Sequence, residues 1–368
     1  MSRSPAARQR GEPWPALRPL GGLYLVLARA YHRLYDRGWR RPRTAGLPVI
    51  SVGNITAGGT GKTPAVAWLT DRLAAEGRRV AIVSRGYRGR RRTDPLVVAR
   101  GHQLLADAIE AGDEAIELAS QARAHVVVVG RSRVEAARRA RREGADVAVL
   151  DDGFQHRRLQ REIDLVLVDA VDPLGGGRGL PAGWLREPPA ALGRADLILL
   201  TRAPVELDLD RLLSADELPA PLVSVLSRLP TAERPAVVGC RHEPSELIGP
   251  DGLSCALEHL RDRPVIAVSA IAHPERFRDT LQRLGAVVVE RLTWPDHHRF
   301  DVLDAQRIRR LANRYDAALL ITTAKDAVRW SPAAPRPHVL RVRMESRAEA
   351  LVLERVRGAI DNWRESQR

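Results

Sequence analysis

Lysine is almost missing from this chain: of its 59 basic residues only Lys62 and Lys325 are lysines. Where arginine serves every ordinary positive charge, a retained lysine marks a need for a compact ammonium on a flexible stem. Aromatic residues are also scarce, at 4%, which argues against a stacking platform for single-stranded nucleic acid, and no nucleic-acid partner is expected. The two cysteines, Cys240 and Cys255, lack metal-ligand spacing and have no need to pair, so they read as buried thiols of a reducing compartment. No apolar run approaches the length of a membrane-spanning helix. The 368 residues leave room for two domains. The net charge of +14 suits nucleic acid, an anionic membrane surface or a polyanionic substrate without choosing among them.

What is present is a phosphate loop. Pro48 to Val52 reads as a short buried strand, apolar and β-branched, ended by Gly53-Asn54. Thr56-Ala57-Gly58-Gly59-Thr60-Gly61-Lys62-Thr63 follows, and then a helix over 64–76 with Val66, Leu69 and Leu73 on one face. Strand, glycine-rich turn and helix N-terminus aim backbone N–H groups and the helix dipole at an anion. In that frame Lys62 reaches the β- and γ-phosphates of a nucleotide such as ATP and the Thr63 hydroxyl binds Mg²⁺. The usual pattern opens with Gly where this chain has Thr56, so the loop must turn on Gly58, Gly59 and Gly61.

A second strand, Val147 to Leu150, ends in Asp151-Asp152-Gly153-Phe154-Gln155-His156. An apolar strand ending in Asp is where a phosphate-loop enzyme holds its metal. Adjacent carboxylates point in different directions, so one can serve Mg²⁺ while the other serves the substrate or the loop lysine. Further on, Trp294-Pro295-Asp296-His297-His298-Arg299-Phe300 clusters imidazoles beside a carboxylate. A third ligand at recognisable spacing is missing, so acid–base chemistry is preferred there over metal binding.

The N-terminus carries a different pattern. From Leu20 to Arg40 apolar residues recur at Leu20, Tyr24, Leu27, Tyr31 and Leu34, while Arg29, Arg33, Arg37 and Arg40 hold another face. A basic amphipathic helix with aromatic residues suits the membrane interface. Packing of this helix on its own domain is the alternative and stays open. A signal peptide is a third reading, which a nucleotide-binding fold downstream argues against.

Strands near 80–84, 125–129, 146–150, 164–169 and 196–201 alternate with helices near 64–76, 107–121 and 131–143, the rhythm of a parallel sheet covered on both faces. A second α/β set follows, with strands near 264–269, 286–291, 317–323 and 337–342 and helices near 273–284, 303–314 and 346–364. The expected class is therefore α/β: a phosphate-loop NTPase-like, mostly parallel domain over 41–235, a smaller α/β domain with a C-terminal helix over 236–368, and the amphipathic helix within 1–40.

Taken in order, these segments resemble the tetraacyldisaccharide 4′-kinase family. The resemblance rests on Val52 to Pro64, Ser84-Arg85-Gly86-Tyr87, Gly112-Asp113-Glu114, Val129-Gly130-Arg131, Asp151 to His156, Leu180 to Gly183, Leu185-Arg186-Glu187-Pro188, Pro295 to Phe300 and Lys325-Asp326-Ala327-Val328. It implies Mg²⁺-dependent transfer of phosphate from ATP to the 4′-hydroxyl of an acylated glucosamine disaccharide 1-phosphate, at the cytoplasmic face of the bacterial inner membrane. It implies a site between two domains and an Asp–His dyad at Asp113 and His297. It further implies that Arg186, Gln155, His156 and Glu187 lie near the phosphates, metal or disaccharide. The arginine fork of Arg186 suits transition-state phosphate oxygens. Lys325 receives no role. A partitioning-type switch ATPase is the alternative; its signature lysine would fall at Ala57, which argues against it.

Overall fold

The computed structural model describes residues 15–204, 206–316 and 318–368; residues 1–14 of the membrane-associating segment expected over 1–40 lie outside them. Helix α1 (Arg18–Asp36) comes first. It ends sooner than the expected Arg40, because Gly38 takes a left-handed φ of 71° and turns the chain.

Nine strands form the large sheet: β1 (Val49–Asn54), β2 (Val80–Ser84), β3 (Leu96–Arg100), β4 (Gln103–Leu104), β5 (Val126–Val129), β6 (Val147–Asp151), β7 (Ile163–Asp169), β8 (Leu197–Thr201) and β9 (Ala236–Gly239). Their order is β4-β3-β5-β2-β6-β1-β7-β8-β9, parallel throughout except at β3 and β4. β1, β2 and β5 to β8 are buried along their whole length, as apolar runs covered on both faces require. From β1 the chain builds one side through β2 to β5, returns to place β6 beside β1, and then crosses to build the other side through β7, β8 and β9. This makes the carboxyl end of β1 a topological switch point, the place where open α/β sheets bind ligands. α2 (Lys62–Ala75) leaves this point and buries Val66, Leu69 and Leu73 on the sheet.

The helix expected over 107–121 is broken. A single turn, Ala108–Ala111, is followed by α3 (Asp113–Gln121). Between them Gly112 has φ 88° and ψ 150°, a conformation that only glycine adopts readily. The break sets Asp113 at the first position of a new helix. α4 (Arg133–Arg142) is the basic helix expected over 131–143, capped by the Ser132 side chain.

The second sheet holds β10 (Arg241–Ile248), β11 (Ser254–Cys255), β12 (Pro264–Ser269), β13 (Val287–Thr293), β14 (Leu319–Thr323) and β15 (His338–Glu345), ordered β11-β10-β15-β14-β12-β13. α5 (Pro274–Arg283) buries Phe277 and Leu281 in one apolar cluster, and α6 (Val302–Arg314) buries Ala305 and Ile308 in another. The final helix α7 (Glu349–Ser366) returns to the large sheet, where Val352, Leu353, Val356 and Ile360 join its core. The linear division expected near 235 is thus crossed twice: β9 is the edge of the large sheet, and the C-terminal helix packs on that sheet. β3, β4, β9, β10 and β11 were not expected: β3 and β9 are short apolar, β-branched runs, whereas β4 and β11 have two residues each and β10 is polar, contains Pro244 and bulges there. Of the two thiols expected to be buried, Cys240 is, with burial pushing it up to about 12, while Cys255 is only partly covered.

Candidate active site

The phosphate loop turns as expected on glycines, with φ of 108° at Gly58 and 88° at Gly61, and Gly61 caps α2. Any side chain at Gly61 would collide with the ring of His242, which β10 lays against the loop. Asn54, fully buried at the end of β1, braces the loop from below. Its amide nitrogen donates to Thr60 Oγ1 at 2.8 Å, and its oxygen accepts from Lys62 Nζ at 3.3 Å. Gly58 to Thr63 line a cavity of about 640 Å³. Thr56 and Ala57, expected to bind nucleotide, do not line it. Thr56 is buried and pairs antiparallel with Leu185, and the Ala57 N–H donates to the Trp184 carbonyl at 2.6 Å.

Asp151 and Asp152 separate as adjacent carboxylates at a strand end should. Asp151 accepts from Ser84 Oγ at 2.9 Å. Burial, with Glu114 and Asp152 near it, pushes its carboxyl up to about 7. Asp152 sits in the left-handed region, φ 52°. It receives both bonds of Arg186 Nη1, at 2.8 and 2.7 Å, and lies 3.6 Å from Lys62 Nζ. Burial opposes its charge, but Lys62 and Arg186 outweigh it and hold the carboxyl below its ordinary range.

The second sheet supplies the facing wall, with Asp296, His297 and Lys325 lining the same cavity. His297 also has a left-handed backbone, φ 64°, and its N–H donates to the Ala270 carbonyl at 3.3 Å. Its Nδ1 lies 3.8 Å from Asp113 Oδ2. Its Nε2 lies 3.4 Å from Lys325 Nζ, which also reaches Asp296 Oδ1 at 2.9 Å. Asp113 is buried behind His297, with Arg329 and Arg299 each 3.8 Å away and Oδ1 lacking a hydrogen-bond partner. Burial works against its ionisation, yet His297, Arg329 and Arg299 keep it below the usual carboxylate range. His298 turns away: Nε2 meets Asp304 Oδ2 at 2.6 Å and the ring stacks on Trp294, so it supports the start of α6 and not the cavity.

Gln155, His156 and Glu187 do not line the cavity. Gln155 Nε2 donates to the Asn54 carbonyl at 2.8 Å and to Glu187 Oε1 at 2.9 Å. Glu187 is buried and meets Arg194 at 2.8 Å and His32 Nε2 of α1 at 3.1 Å. Burial and the charge of Arg194 push His32 down to about 3, so it is neutral and donates from Nε2. A continuous polar chain thus runs from α1 to the underside of the phosphate loop. His156 Nε2 is buried without a partner, and burial with Arg133 near it pushes the ring down to about 4.

Glu117, Arg133, His273 and Arg276 also line the cavity and escaped sequence reasoning. A signal for Glu117 exists: it lies one helical turn after Asp113, on the buried face of α3. An adjoining cavity of about 500 Å³ shares Gly59 to Gly61 and Lys325 and has apolar walls of Ile271, Phe277, Leu340 and Val342. Among the described residues no group of three or more His, Cys, Asp or Glu side chains is arranged to hold a metal by itself.

Comparison with known proteins bears on this geometry. The family model described as tetraacyldisaccharide-1-P 4′-kinase (LpxK) matches residues 13–360. A tetraacyldisaccharide 4′-kinase of Anaeromyxobacter dehalogenans is 44% identical over 96% of this chain and 94% of its own. One from Syntrophus aciditrophicus is 38% identical over 95% of each. The crystal structure of LpxK from Aquifex aeolicus in complex with ATP superposes with a TM-score of 0.74 at 29% identity, over 94% of this chain and 98% of that one.

Proposed function

This chain belongs to the tetraacyldisaccharide-1-P 4′-kinase family, and from that membership we propose how its cleft moves a phosphoryl group. The protein is an ATP-dependent lipid kinase that phosphorylates tetraacyldisaccharide 1-phosphate in lipid A biosynthesis. One observation carries the reading of the site: Lys62, Asp151, Asp152 and Arg186 from the large sheet face Asp296, His297 and Lys325 from the small one across a single cavity.

The phosphates of ATP lie in the loop Gly58 to Thr63, with Lys62 on the β- and γ-phosphates. The base fits the adjoining apolar cavity beside Phe277. Asp113 accepts the proton of the 4′-hydroxyl, its oxygen bonds to the γ-phosphorus, and the bond from that phosphorus to the β–γ bridging oxygen breaks to leave ADP. Asp113 itself does not line the cavity and its Oδ1 is buried without a partner, so the 4′-hydroxyl must come past His297 to meet it, while Oδ2 stays with His297. A base held below its ordinary range suits a loose transfer, in which positioning and charge neutralisation outweigh proton abstraction. Arg186, fixed by Asp152, reaches the transferring oxygens.

Mg²⁺ fits the residues present. Asp151 is a buried carboxyl crowded by Glu114 and Asp152, a repulsion a cation relieves, while Asp152 is committed to Arg186 and Lys62. Asp151 and the Thr63 hydroxyl would hold the ion with the phosphates, as Mg²⁺ sites with few protein ligands do. Bound there, it neutralises charge on the transferring group. Gln155 and Glu187 act from beneath, by bracing Asn54. Helix α1 seats the enzyme on the cytoplasmic face of the bacterial inner membrane: Leu20, Leu23, Val26 and Leu27 are each more than half exposed, although no described helix is long and apolar enough to cross a membrane.

The test is transfer of labelled γ-phosphate to tetraacyldisaccharide 1-phosphate in detergent by wild type and Asp113→Ala. A loss of roughly 10²–10⁴-fold in kcat with ATP binding intact is expected. Undiminished transfer by the variant would remove Asp113 from the chemistry.

A further inference from the structure

Lys325 is the second of the chain's two lysines, and the phosphoryl-transfer scheme leaves it without a task. Its placement is tightly built. Thr323 at the end of β14 caps the turn Ala324–Ala327. The next residue, Asp326, is fully buried; it accepts from the Ala270 N–H at 3.0 Å and from Thr323 Oγ1 at 2.8 Å, and meets Arg329 at 2.5 Å. The turn is therefore pinned to the chain after β12, whose Ala270 carbonyl also receives the N–H of His297. Lysine and imidazole hang from one hydrogen-bonded corner.

From that corner the ammonium of Lys325 meets Asp296 Oδ1 at 2.9 Å and His297 Nε2 at 3.4 Å. An ammonium has three protons to donate and no lone pair. The nitrogen it faces must then present its lone pair, and a neutral imidazole has only one such nitrogen. The ring proton is left on Nδ1, which looks at Asp113 Oδ2 from 3.8 Å.

We propose that Lys325 is a positioning residue that sets the tautomer of His297, holding its proton on Nδ1 toward Asp113. This rests on the reading of Asp113 and His297 as the working dyad. The charged groups around the ring are Asp113 from α3, Asp296 beside it in sequence, Lys325 from the turn after β14, and Arg329 and Arg299 on the far side of Asp113. Asp296 Oδ2 lies 3.9 Å from Nε2, and with Lys325 gone it becomes the nearest acceptor for a proton there. Removing the ammonium thus favours the Nε2–H tautomer, which would turn the bare Nδ1 lone pair on the Asp113 carboxylate. Lysine suits the position because a guanidinium is broader and would engage Asp296 with a rigid fork.

The experiment compares wild type, K325M and K325R, each labelled with ¹⁵N-histidine, with the His297 resonances identified by their loss in H297Q. In wild type the expected spectrum shows His297 protonated at Nδ1 and bare at Nε2. In K325M the ring moves to the Nε2–H form; K325R does not restore the wild-type spectrum. A His297 already protonated at Nε2 in wild type overturns the proposal, and so does a K325M whose tautomer matches wild type. Should K325M fold poorly, the wild-type spectrum decides alone. Activity of Asp113→Ala reports separately: if it is undiminished the dyad reading fails, whatever the spectrum says of Lys325.

Discussion

Two site residues, Asp152 and His297, hold left-handed backbone conformations at φ of 52° and 64°, where a side chain other than glycine costs roughly 1–2 kcal/mol. The surrounding bonds keep them there: Arg186 and Lys62 on one, the Ala270 carbonyl and Lys325 on the other. Adjacent carboxylates take opposite shifts for the same kind of reason. Asp151 is pushed up by burial and like charge, and Asp152 is held down by two cations in spite of burial. Environments that drive neighbouring acids apart separate their roles. Glu117 offers a clean titration test. Burial pushes it up to about 7 from an ordinary 4.5, so the folded chain takes up a proton between those values. Its contribution to stability is present at low pH and is lost as pH rises through 7. Glu117→Gln should therefore raise the Tm of the ligand-free protein more at pH 8 than at pH 4.5; an equal change at both would place the carboxyl in an ordinary environment. The phosphate loop, the Asp151-Asp152 pair and the Asp296-His297 string were legible because each is local in the chain, whereas the pairing of Asp113 with His297 came only from the family resemblance. Glu117 and Arg133 were not, because only the fold shows that a charged residue on a helix faces a cavity.

Among the elements, α1 has two unlike faces. Its outward face exposes Leu20, Leu23, Val26 and Leu27. Its inward face uses Gly21, where an added methyl carbon would come within 2.7 Å of the Gly179 carbonyl, and His32, bonded to Glu187. Self-packing describes the inward face, and the interfacial reading concerns the exposed one. Leu23→Glu with Leu27→Glu should release the protein from anionic vesicles, since each buried leucine is worth about 1.5–3 kcal/mol, and should leave Tm unchanged. Vesicle sedimentation equal to wild type would remove the exposed face from membrane binding. The helix expected over 107–121 shows the opposite lesson. Its apolar spacing runs through Gly112 without a sign of the break, yet the break is what delivers Asp113 to His297.

For the molecule as a whole, the two sheets are tied by more than one crossing. α7 leaves the small sheet and buries Ile360 completely in the large core, while Glu349 at its start meets Arg72 of α2 at 2.9 Å. Ile360→Ala should cost about 2–5 kcal/mol in urea unfolding of the intact chain, and a loss below 1 kcal/mol would make the C-terminal helix dispensable to the core. What the sequence determined by itself was the chemistry and its local carriers: the loop that cradles phosphate, the strands that end in carboxylates, the α/β alternation and the amphipathic first helix. These depend on spacing within a few residues, which a one-dimensional string preserves. Tertiary structure alone decided which side chains meet across the cleft. Lys325 and Asp113 reach opposite nitrogens of His297, His32 reaches beneath the phosphate loop, and Thr56 and Ala57 turn to pair with the segment before Arg186. Those contacts join residues far apart in the chain, and their partners are chosen by sheet order, glycine breaks and helix packing that no local pattern encodes.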